Sequence, residues 1–126
     1  MPQEVKQVLL AGHLEEQAKV FAEAFKQRGI KAVILSDGSK LPQLLASVQA
    51  VVCEYSPRSG ARDITVMKAA LGADIPLFIT TDTPAGDRIE EPFGWVRSDL
   101  VFFRPVSVLH FAFRVATVAA AWTPKS

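Results

Sequence analysis

VLLAGHLEEQAKVFAEAFKQRG, residues 8–29, contains two hydrophobic periods in succession, and the change between them decides the fold. Val8-Leu9-Leu10-Ala11 is an unbroken apolar run closed by Gly12, too short for a helix and suited to a strand buried on both faces. From Leu14 the apolar residues Ala18, Phe21, Ala22, Ala24 and Phe25 recur at three and four, with Glu15, Glu16, Lys19 and Lys26 between them until Gly29. That spacing predicts an amphipathic helix. A buried strand feeding directly into a helix is the building unit of an α/β chain.

The same alternation continues outward. Lys31 to Leu35 is a second apolar run, ended by Ser36-Asp37-Gly38, and Leu41 to Val48 is helical in spacing. Gln49 to Cys53 is the third run, and Tyr55-Ser56-Pro57-Arg58-Ser59-Gly60 supplies the turn into a helix expected at about Arg62 to Leu71. Ile75 to Ile79 reads as a fourth strand and Leu100 to Phe103 as a fifth, closed by Arg104-Pro105. Between them, 87–97 is weakly patterned. Val108, Leu109, Phe111, Ala112, Val115, Ala116, Ala119 and Trp122 form the core stripe of a last helix. Connections this long return each strand parallel to the one before, so the expected architecture is a three-layer α/β/α sandwich around a five-stranded parallel sheet. Ligands of such sheets bind beyond the carboxyl ends of the strands. Those ends are Gly12 and His13, Cys53 to Ser56, Thr80 to Asp82, and Arg104.

The whole chain, 126 residues with 49% hydrophobic side chains, has the length of one domain and enough apolar surface for a core of its own. Its 14 basic and 13 acidic residues leave a formal charge of +1, which gives no support to binding by phosphate neutralisation, so no nucleic-acid contact is expected. A lone Cys53 makes no internal disulfide, and the first seven residues carry Glu4 and Lys6 rather than a basic-then-apolar leader; both point to the cytoplasm. The tract Val106 to Trp122 holds His110 and Arg114 and is at the short limit of a membrane span, so a packed helix and no membrane contact are expected.

In the order, spacing and length of its elements the chain resembles the receiver domain of two-component response regulators, with the flavodoxin-like winding that this family has. Ile75-Pro76-Leu77-Phe78-Ile79-Thr80-Thr81 resembles the family's fourth strand, and the resemblance implies that Thr81 is the hydroxyl that senses a phosphoryl group. Phe103-Arg104-Pro105 resembles the Lys-Pro pair after strand five, with Arg104 in place of Lys, and Pro57 to Gly60 resembles the loop after the phosphoacceptor. The departures fall in one place. Where the family has an acidic pair that holds Mg²⁺, this sequence reads Gly12-His13, and the acceptor Asp is replaced by Glu54, or by Cys53 if the register is set on Pro57. Val101 stands at the aromatic switch position. Metal, nucleophile and readout each need their own residue, so the chain resembles a degenerate, or pseudo-, receiver: not an enzyme, without cofactor or metal. What remains, Glu54 and Arg104, suits a standing carboxylate–guanidinium pair.

Other readings of the same residues are weaker. His13, Glu54 and Asp82 come from three strand ends and could form a metal-binding face, but an ordinary histidine at a helix start and a turn aspartate are the simpler readings. Cys53 reads as a small buried hydrophobe. No glycine follows Gly12 until Gly29, so a dinucleotide fingerprint is missing. The alternative function is a small anion-binding or enzymatic domain that uses His13, Glu54, Thr81 and Arg104. For the receiver-like reading the expected partner is a protein, or a second copy through the last helix, with Trp95, Phe102, Leu109, Phe111, Val115 and Trp122 as the contact residues.

Overall fold

The apolar runs become a sheet, and the three-and-four spacings become helices on its two faces. The computed structural model describes residues 4–36, 38–56, 61–62, 64–82, 97, 100–103 and 107–122. In chain order the elements are β1 (Gln7–Ala11), α1 (Glu15–Lys26), β2 (Lys31–Ile34), a 3-10 turn (Gly38–Lys40), α2 (Leu41–Leu45), β3 (Ala50–Ser56), β4 (Ala61–Arg62), α3 (Ile64–Gly72), β5 (Leu77–Thr81), β6 (Val101–Phe103) and α4 (Val108–Ala121). Five strands run parallel in the order β2-β1-β3-β5-β6. With β4 set aside this is the flavodoxin-like order 2-1-3-4-5, whose direction of winding reverses between β1 and β3.

Alternation along the strands divides the interior in two. Val8, Leu10, Ala50, Val52 and Phe78 face α1 and α4, while Leu9, Ala11, Val51, Cys53, Leu77 and Ile79 face α2 and α3. Phe111 of α4 is fully buried at the centre of the first layer. Its ring lies 4.7 Å from that of Phe102, 5.2 Å from Phe21, 6.3 Å from Phe25 and 6.5 Å from Phe78, at tilted or edge-to-face angles. Such pairs add to simple area burial. Among the described residues no helix is long and apolar enough to cross a membrane.

Three elements differ from expectation. The fourth parallel strand begins at Leu77 and includes both threonines, because Pro76 lacks an N–H and enters the ladder through its carbonyl, which accepts from Val51 N at 3.0 Å. β3 continues past Cys53, and β4 pairs antiparallel with its end in the register Tyr55↔Arg62 and Ser56↔Ala61, where a turn and a helix start were expected. Tyr55 also pairs with Thr81 of β5, so β4 lies on the β1 edge of β3, just past the point where β1 ends. Finally, Leu109 does not belong to the core stripe. It is two residues, or about 200° of helix, from Phe111 and is 58% exposed.

The last helix is anchored at its far end as well. Trp122 donates its indole N–H to the carbonyl of Asp74 at 2.8 Å, and Asp74 has φ +56 in the turn between α3 and β5. Asp is one of the few residues that tolerate this left-handed conformation.

Candidate functional site

The site is built where β1 and β3 diverge. Gly12 ends β1 at φ +85, a conformation that favours glycine. It also lies against β3, since a Cβ placed on it would sit 3.4 Å from the carbonyl oxygen of Glu54 and 3.5 Å from the Glu54 Cβ. The turn thus delivers His13 over the carboxyl ends of β3 and β5. The imidazole packs its edge on Phe21, with ring centres 5.2 Å apart, and its Nε2 lies 3.0 Å from Thr80 Oγ1. Thr80 in turn donates to Glu54 Oε1 at 3.2 Å.

This arrangement assigns the hydrogens. A carboxylate only accepts, so the single hydroxyl hydrogen of Thr80 goes to Glu54, and Oγ1 then accepts from a protonated Nε2. The result is a directed chain, His13 to Thr80 to Glu54, linking the ends of β1, β5 and β3. Glu54 is 4% exposed and Thr80 fully buried, so each bond is made in a setting where its loss leaves a polar group without water. Thr80→Val keeps the shape and removes the link. Its urea midpoint should fall by the equivalent of about 1–3 kcal/mol, and an unchanged midpoint would show that the hydroxyl contributes nothing.

Several of the residues singled out from sequence take different places. Glu54, and not Cys53, faces the crevice, because the register sets Glu54 opposite Thr80, while Cys53 is fully buried opposite Ile79 in the other layer. The hydroxyl seen to donate to Glu54 is that of Thr80, while Thr81, the one expected, is opposite Tyr55 and also fully buried. Arg104, Pro105, Trp95 and the Pro57 to Gly60 loop lie outside the described residues, and with them the expected Glu54–Arg104 pair. Among the described residues there is no group of three or more His, Cys, Asp and Glu side chains able to hold a metal ion.

Two of the expected contact residues are corrected. Phe111 and Val115 are fully buried against the sheet, so neither is available to a partner. Phe102 is half-buried under Phe111, and Trp122 is half-buried and tied to Asp74. Of the contact residues named in α4, Leu109 alone is on the outer face, and Phe113, which was not singled out, accompanies it at 49% exposure with Arg28 stacked 4.9 Å from its ring. The spacing of four from Leu109 was the available signal, masked by the apolar character of the whole helix.

No family model matches the chain, and no curated protein matches it. Solved structures do. The receiver domain of the Francisella response regulator 1452 superposes with a TM-score of 0.68 at 17% identity, over 92% of this chain and 97% of that one. A response regulator from Thermotoga maritima gives 0.71 at 10% identity, over 94% and 100%, and the orphan response regulator HP1043 of H. pylori gives 0.63 at 14%, over 92% and 98%. The fold is therefore that of response regulator receiver domains.

Proposed function

We propose that this is a receiver-like signalling domain that works without accepting phosphate, through contacts with protein. The observation that carries the reading is the state of Glu54. At the carboxyl end of β3, where the receiver resemblance calls for an open aspartate, stands a buried glutamate already engaged through Thr80 with His13. The end of β1 offers Gly12-His13, and a hard divalent cation at a phosphoryl site needs carboxylate oxygens there. A site linked across three strands by its own side chains has no need of a phosphoryl group to fix its conformation.

Incubation with acetyl phosphate, or with beryllofluoride, in the presence of Mg²⁺ tests the reading. The expected result is no added mass and no movement of the backbone amide resonances of Gly12, Glu54 and Thr80. A saturable, Mg²⁺-dependent change would overturn it.

A further inference from the structure

Six large apolar side chains are substantially exposed among the described residues, and four of them belong to two neighbouring helices: Leu14 (66%) just before α1 and Val20 (53%) on its outside, Leu109 (58%) and Phe113 (49%) on the outside of α4. Between the two helices runs an open groove of about 460 Å³, with Val20, Ala24 and Gln27 on one side and Val108 and Leu109 on the other. The charges beside it are ordered. Along the exposed face of α1 stand Glu16, Lys19, Glu23 and Lys26, in the sequence minus, plus, minus, plus.

That order is self-complementary in one direction only. If two α1 helices lie antiparallel about a two-fold axis that crosses them near Phe21 and Ala22, Glu16 falls opposite Lys26 and Lys19 opposite Glu23, each twice by symmetry. Laid parallel in register, the same residues meet like with like. The Lys19–Glu15 pair within α1, at 3.3 Å, is 71% and 82% exposed and is too weakly held to compete.

We propose that the α1–α4 face is the contact between two copies of this chain, packed antiparallel along α1, with Val20 and Leu109 of each copy closed over by the other. The proposal rests on the reading of the domain as one that acts by contact. It names the occupant as a second copy, because the apolar groove and the charge order suit the same surface rotated by two-fold symmetry.

Sedimentation equilibrium of the whole chain, run from low micromolar to millimolar concentration, tests it. The wild type should dimerise. Lys19→Glu and Glu23→Lys should each weaken the dimer by about tenfold or more, because each turns two attractions into two repulsions. The double variant K19E/E23K should restore it, since the swapped pair is again complementary, and Leu109→Lys should abolish it. All three positions substituted are on the surface, and thermal melts of the monomers check that α1 stays folded. A chain that is monomeric throughout, or a dimer indifferent to the single reversals or not rescued by the double one, would overturn the proposal. A monomer that also ignores beryllofluoride would overturn the dimer alone, whereas one that is modified would overturn the phosphate-independent reading.

Discussion

Phe111→Ala should lower the stability of the domain by about 3–5 kcal/mol, the cost of truncating a fully buried aromatic that leaves a cavity behind it. The ring contacts Phe21 and Phe25 of α1, Phe78 of β5 and Phe102 of β6, so its removal loosens the joint between two helices and two strands at once. A domain of this kind has about 5–15 kcal/mol in total, so a large part of its stability is at stake. The comparison that isolates the effect is Phe113→Ala, two residues further along the same helix. Its ring is half exposed and gains chiefly from Arg28 at 4.9 Å, an interaction of about 0.5–1 kcal/mol. Urea unfolding of both variants at low protein concentration gives the two numbers. Equal losses would mean that Phe111 is not the centre of the layer.

Glu54→Lys should be the most damaging change at the crevice. The carboxylate is 4% exposed and takes the hydroxyl hydrogen of Thr80, whose oxygen takes that of His13 Nε2. A lysine would bring an ammonium to donors already directed inward, in a place too enclosed for it to reach water, at a cost of about 3 kcal/mol or more. Glu54→Gln keeps the length and an accepting oxygen and should cost about 1 kcal/mol. Unfolding midpoints in urea rank the three proteins. A lysine variant as stable as the wild type would show that the side chain at this position is free to leave the crevice.

The fold was legible because its signals are local. Val8 to Ala11 reads as a buried strand from four consecutive apolar residues, and α1 from the spacing of Ala18, Phe21, Ala24 and Phe25; all eight are buried. The crevice was legible only as a neighbourhood. His13 and Thr80 are 67 residues apart and Thr80 and Glu54 are 26 apart, so the chain of bonds depends on strand register, which no local pattern specifies. A slip of one residue exchanges the faces, so Cys53 stood beside Glu54 as a candidate, and Thr81 rather than Thr80 was indicated by the family resemblance alone. The outward face of α4 was hidden for a different reason. Helix faces are read from contrast between polar and apolar positions, and Leu109 and Phe113 are as apolar as the residues that fill the core.

β4 has a consequence for traffic through the crevice. Sheets wound in this order admit their ligands where the central strands part, beyond β1 and β3. Here β1 turns away at Gly12, and the two residues of β4 occupy the space beside β3 that it vacates. An opening of that short ladder would uncover this edge of β3, and hydrogen exchange at the Arg62 amide would clock how often it opens.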